Sequence, residues 1–270
     1  MQDNFMELNW EGAGYHGFPA VPGPSGYATT EEAMAWSGFE QVLAAAKEGD
    51  FSGVTKLPGI YDDADWMLGA ACAELMGDIG SRSFFDELRP AVTGILDPSY
   101  SVDLGRSLAI WGHLSSVTTI LETLEKIPDF EDAPALVQMV SLLLEPEPGV
   151  LGDRRGLDNI QAYSGEVRRQ AELLAVRLGT SDAIVMFGEL FTVEKLVDVM
   201  RRRLTDGGRF DPYWRHKFEA TTGVDCSRFY DGGILRPLQA LAVIEEFEDL
   251  GGVRRYEPGR RYFFGHPVPA

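Results

Sequence analysis

The stretch WMLGAACAELMGDIGSRSFFDEL, residues 66–88, decides the fold reading, because its pattern returns at residues 102–124 as VDLGRSLAIWGHLSSVTTILETL. Leu68 falls on Leu104, Gly69 on Gly105, Ala73 on Ala109 and Leu88 on Leu124, while Phe84 and Phe85 fall on Ile120 and Leu121. Each copy reads as a helix with small residues on one face, a tight turn and a second amphipathic helix. A further copy is expected where Gly77 meets Gly179 and Phe85-Asp86-Glu87-Leu88 meets Phe187-Gly188-Glu189-Leu190. Helix pairs recurring every ~30–47 residues bury their apolar faces against their neighbours, which predicts an all-α solenoid. Trp66, Leu75, Trp111 and Leu121 are expected to lie buried between repeats.

Outward from these repeats, helical signals dominate. Thr29 or Thr30 with Glu31 and Glu32 makes an N-cap and an acidic first turn for a helix that Gly49 ends. Further helices are expected at Ser83–Ile95, kinked or broken at Pro90, and at Val102–His113, Ser116–Ile127 and Pro134–Leu144. Others follow at Gly165–Leu178, Asp182–Phe191, Val193–Leu204, Asp211–Thr221 and Gly233–Leu250. Strand-like alternation is expected only in Arg254–Phe264, as a short hairpin centred on Pro258–Gly259. Residues 1–28 are dense in Gly, Pro and aromatics and read as an irregular arm packed across the body. The chain thus divides into the arm (1–28), helical repeats (29–205) and a C-terminal helical cap with a short hairpin or extended tail (206–270).

The charge is segregated. The chain carries 24 Lys+Arg against 42 Asp+Glu, a net charge of −18. Residues 1–150 hold 24 acids and 6 bases, which is the whole excess, and residues 151–270 hold 18 of each. Such a field repels nucleic acid and anionic membrane and attracts basic proteins or cations. No apolar run is long enough to span a bilayer, and the first thirty residues lack the basic start and apolar core of a secretory leader. A cytoplasmic protein is the expectation.

Catalytic constellations are scarce. His16, His113, His216 and His266 are scattered without metal-ligand spacing, and no phosphate-binding glycine loop appears. Cys72 reads as a small core residue, and Cys226 has no nearby histidine to activate it. Asp62-Asp63-Ala64-Asp65 gathers three carboxylates but lacks the order and glycine of an EF-hand loop. It reads as the acidic start of a helix, and its carboxylates together with Trp66 are also suited to a basic partner. Asp211 and Pro212 open a helix carrying Tyr213, Trp214 and Phe218, which read as core by default, although Tyr and Trp also anchor interfaces when exposed. Neither an enzyme nor a cofactor is expected. The partner-binding candidates are Asp62, Asp63, Asp65, Trp66, Asp86, Glu87, Tyr213 and Trp214.

The segments DADWMLGAACAELMGDIG and GEVRRQAELLAVRLG resemble degenerate HEAT repeats, with a small-residue inner helix that ends in Met-Gly or Leu-Gly. The tail YEPGRRYFFGHPVP, taken with these helices, looks like that of immunity proteins of bacterial polymorphic toxin systems. The resemblance implies a non-catalytic module that neutralises a basic cognate toxin through its acidic half. The alternative is a scaffold or adaptor that docks a basic partner without inhibiting it.

Overall fold

The structure is a computed structural model. It describes residues 14–16, 29–62, 64, 66–94, 98–126, 134–146, 150–153, 157, 159–207 and 210–270. Helix dominates these residues. Helix α1 (Thr30–Lys47) begins with a capping box in which Thr29 and Glu32 satisfy one another's backbone N–H groups. A short α2 (Leu57–Asp62) leads to α3 (Trp66–Ile79), α4 (Arg82–Gly94), α5 (Pro98–Trp111), α6 (Val117–Leu124) and α7 (Pro134–Leu144). Then come α8 (Val150–Asp153), α9 (Ile160–Leu178), α10 (Val193–Asp206), α11 (Pro212–Thr222) and α12 (Pro237–Asp249). Helices α9, α10 and α11 open on side-chain caps from Asn159, Thr192 and Asp211, and each closes on a left-handed glycine. Helix α4 runs through Pro90 without the expected break.

The helices pack in two rows. Helix α3 contacts α5 and α5 contacts α7, while α4 contacts α6 and α6 contacts α9. The matched positions Leu68 and Leu104, Ala73 and Ala109, Phe84 and Ile120, and Phe85 and Leu121 are all buried. Small residues set the spacing, since a Cβ on Gly77 would lie 2.5 Å from Ile110 Cβ and 2.8 Å from the Ser107 carbonyl. Leu75, Trp111 and Leu121 are buried as expected. Trp66 is the first residue of α3, and its side chain lies outside the described residues.

Three two-residue hairpins correct the sequence reading. Strands β1 (Val185–Met186) and β2 (Glu189–Leu190), β3 (Tyr230–Asp231) and β4 (Ile234–Leu235), and β5 (Tyr262–Phe263) and β6 (His266–Pro267) pair antiparallel. Both central residues of every turn have positive φ, at Phe187-Gly188, Gly232-Gly233 and Phe264-Gly265, which is the type I′ pattern. Positive φ at Phe187 and Gly188 rules out the helix expected at Asp182–Phe191. The proposed third copy there is therefore a turn, not a helix. Gly233 likewise sits in a turn ahead of α12, and the tail hairpin centres on Phe264-Gly265 instead of Pro258–Gly259.

Phe in the left-handed region is strained, at a cost on the order of 1–3 kcal/mol. The compensation lies at the tips. Phe187 and Gly188 donate their N–H groups to the Leu142 and Leu143 carbonyls at the end of α7, at 2.6 and 3.0 Å. Phe264 and Gly265 do the same to Ala220 and Thr221 at the end of α11, at 2.7 and 3.0 Å. Helix ends leave these carbonyls without partners, so each tip acts as a long-range C-cap.

Two substitutions test this architecture. Leu121→Ala should cost about 2–5 kcal/mol by leaving a cavity where α6 meets its neighbours. Gly188→Ala adds a Cβ 2.7 Å from the Leu144 carbonyl at a φ of 69°, and should cost on the order of 1–3 kcal/mol. Chemical denaturation of both variants measures these losses, and an unchanged midpoint for Gly188→Ala would mean that the tip is not seated on α7.

Candidate functional site

The expected acidic residues are reached through two surface concavities. The larger, about 760 Å³, lies against α1 and α2 and is lined by Glu31, Met34, Ala35, Lys56, Gly59, Ile60, Asp62 and Ala64. Its lining includes Met34, an apolar side chain that is 70% exposed. Asp62 is the last residue of α2 and is exposed, so its carboxylate stands at the negative end of that helix. The helix that these acids are expected to precede, α3, begins at Trp66. Asp63 and Asp65 lie outside the described residues.

The smaller concavity, about 110 Å³, lies between α4 and the α5–α6 turn and includes Arg82, Phe85, Asp86, Trp111, Ser115 and Thr119. Asp86 and Glu87 are exposed on α4, and Asp86 lies 3.9 Å from Arg82. Arg82 also pairs with Asp182, which receives His113 Nε2 at 3.1 Å. His113 stacks on Trp111 and bonds Ser115 Oγ through Nδ1 at 2.8 Å. Burial pushes the His113 imidazole below its ordinary value, against the pull of Asp182. His113 is thus a packed side chain that ties the α5 end to the first hairpin, as its apolar sequence neighbours suggest.

Tyr213 and Trp214 are not interface anchors. They are 8% and 5% exposed, and every residue of α11 from Tyr213 to Thr221 is buried. Tyr213 stacks on His216, and Trp214 meets Phe210 and Phe187 edge-on. An aromatic run behind an Asp-Pro cap has the same spelling on a buried helix as on an exposed one.

Around α11 lies a buried polar centre that no sequence motif announces. His216 Nε2 and Tyr15 Oη both meet Asp78 Oδ2 at 2.8 Å. Arg106 Nη2 donates to Glu74 Oε1 at 3.1 Å, and Arg215 lies 3.5 Å from Glu219. Desolvation pushes the Asp78 carboxyl up, but His216, Lys217 and the Tyr15 hydroxyl outweigh it and hold the group below its ordinary value. Burial raises Glu219, Tyr15 and Tyr213. Neither surface concavity is lined by a member of this centre. Its chemistry is that of an internal ion-pair network.

Two cations of this centre cap helix ends. Lys217 Nζ donates to the Ile110 carbonyl at the end of α5 at 3.0 Å. Arg261 donates to the Gly77, Asp78 and Gly80 carbonyls at the end of α3. Among the described residues no group of His, Cys, Asp and Glu has metal-site geometry, and no helix is long and apolar enough to cross a membrane. No family model matches the chain, and no curated protein or solved structure matches it either.

Burial lowers Lys217 from 10.5 to about 8, against the opposing pull of Asp78. The unfolded chain therefore binds more protons than the folded one between about pH 8 and 10.5, and this group's contribution to stability rises with pH across that window. Below it the ammonium is charged in both states and its desolvation penalty is constant. Wild type should gain on Lys217→Met by on the order of 1–3 kcal/mol between pH 7.5 and 10. Urea midpoints at both pH values check this, and a constant difference would mean a solvated ammonium.

Proposed function

We propose that this protein is a non-catalytic protein-binding module, an immunity protein that neutralises a basic cognate toxin by direct binding through its acidic N-terminal half. The two rows of helices support the HEAT-like α-solenoid reading, an architecture whose extended surfaces bind other proteins. One observation carries the proposal: among the described residues of 1–150, exposed carboxylates outnumber the exposed bases, which are Lys56, Arg82 and Lys126. Glu31, Glu40, Glu48, Asp50, Asp62, Asp86, Glu87 and Glu125 are exposed. Arg106 is buried against Glu74, Lys47 points to the Tyr15 carbonyl, and Arg82 is engaged by Asp182.

The groove against α1 and α2 has the character of a contact surface, with apolar side chains at Met34 and Ile60, carboxylates at Glu31 and Asp62, and the single cation Lys56 among its lining residues. A basic partner with an apolar anchor complements it. Tyr213 and Trp214 take no part in this surface, which rests on Asp62, Asp86, Glu87 and the residues of the groove. Attraction of this kind speeds encounter and weakens with salt, because the Debye length is about 8 Å near physiological ionic strength.

The test is capture from the native host with wild type and with the charge-reversed variant Glu31→Lys, Asp62→Lys, Asp86→Lys, Glu87→Lys. Wild type should retain a basic polypeptide that arrests growth when expressed alone, and co-expression should restore growth. The reversed variant should associate at least about tenfold more slowly at low salt and protect poorly. A control reversing Glu245 and Glu246, in the charge-neutral half, should protect normally. Capture without growth rescue would instead identify an adaptor, and greater damage from the Glu245 pair would place recognition on the C-terminal cap.

A further inference from the structure

Ser115, His113 and Asp182 form a hydrogen-bonded chain beside the smaller concavity, and we propose that Ser115 is an activated nucleophile, a site that takes the acyl group of a small ester. Ser115 Oγ lies 2.8 Å from His113 Nδ1, and His113 Nε2 lies 3.1 Å from Asp182 Oδ1. An ionised carboxylate can only accept, so Asp182 holds the tautomer with its proton on Nε2 and leaves Nδ1 to accept the serine proton. Nucleophile, base and orienting group thus stand in the order that activation of a hydroxyl requires. The contact between residues 113 and 115 is by itself a local turn bond. Asp182 on the other ring nitrogen is what gives it a chemical direction.

The fold builds this arrangement from distant segments. Gly112, at a φ of 73°, turns the chain out of α5. His113 then pairs with Ile184, while Leu114 N–H donates to the Ala183 carbonyl and Val185 N–H to the Gly112 carbonyl, both at 2.8 Å. That pairing brings Asp182 to the imidazole, and the stack on Trp111 sets the plane of the ring. Burial pushes the imidazole below its ordinary value, with Asp182 and Asp86 opposing and Arg82 and Arg261 assisting. The ring is therefore neutral at about pH 7 and able to take a proton. Ser115 is exposed, in the one-turn 3₁₀ segment Leu114–Ser116 ahead of α6. It also lines the concavity of about 110 Å³, whose apolar walls include Phe85, Leu104, Leu108 and Trp111. A cavity of about 150 Å³ takes a benzene ring, so this one suits an aliphatic chain of about four carbons.

In the step, Ser115 Oγ bonds the ester carbonyl carbon, the serine proton moves to His113 Nδ1, and the bond from that carbon to the alkoxy oxygen breaks. The leaving alkoxide takes the proton from His113 and departs as the alcohol, which restores the base and leaves the acyl group on Ser115. Arg82, in the lining of the same cavity, offers positive charge to the oxygen that turns anionic. The inference goes beyond the binding reading and does not rest on it, because the chain itself is the acceptor of the group.

The experiment uses the full chain and an alkyl fluorophosphonate, which loses fluoride as its phosphorus bonds the serine oxygen and leaves a stable adduct. Intact mass and peptide mapping should find one phosphonyl group on Ser115 of wild type. A butyl probe should react at least about tenfold faster than a dodecyl probe, which overfills the cavity. Ser115→Ala should take no group. Asp182→Asn should react at least about tenfold more slowly, because its amide favours the wrong tautomer. The pH midpoint of its rate should also fall, since the carboxylate that raises the imidazole is gone, and a loss of packing alone would not move it. Both substituted positions are exposed, so the fold should survive each change. No adduct on wild type, an equal adduct on Ser115→Ala, or a wild-type rate for Asp182→Asn would overturn the proposal.

Discussion

The C-terminal ends of the helices are the constraint on which this fold depends. Each leaves carbonyls without intrahelical partners and carries partial negative charge. Four of them are closed by donors from distant parts of the chain. Arg261 serves α3, Lys217 serves α5, and the tips of two hairpins serve α7 and α11. Arg261 and Lys217 fasten the C-terminal quarter to the helical rows, and the tip bonds explain why phenylalanine tolerates a left-handed backbone at two turns. Where Phe187 and Phe264 are seated, the aromatic ring is a packing element and the strained amide is a donor.

Helix α11 is the hub of this arrangement. A helix that buries Arg215, His216, Lys217 and Glu219 at once cannot be stabilised by apolar contact alone, and each charged group must find a partner. Asp78, the Ile110 carbonyl and the backbone of His16 supply them. The same requirement explains why the centre is sealed from both concavities. Charge pairs of this kind are strongest away from water, and their service here is to fix how α11 docks on α3 and α5.

The outer surface follows a different logic. With Arg106 buried against Glu74, the exposed carboxylates among the described residues of the first half outnumber the exposed bases Lys56, Arg82 and Lys126. A solubility bias spread along the whole chain would not empty one half of its balance. The groove against α1 and α2 sets the apolar side chains of Met34 and Ile60 among Glu31, Asp62 and Lys56.

The sequence by itself determined the helical class and most helix positions, because caps and periodicity are local. Thr29, Asp211 and Gly179 act where their chemistry says they should, and the residue matches between 66–88 and 102–124, apart from the half-buried Leu88, mark positions that are buried in both copies. Burial of Leu75 and Leu121 was legible for the same reason. Hairpins at Phe187-Gly188 and Phe264-Gly265 were not, since the I′ turn signal is usually Asn-Gly or Asp-Gly and phenylalanine there is allowed only by a distant helix end. The fate of Tyr213 and Trp214, the pairing of His216 with Asp78 and the seating of Tyr15 depended on contacts across 138 residues in one case and 63 in another. Tertiary structure alone decided these, because whether a charged or aromatic side chain is core or surface is set by what folds against it.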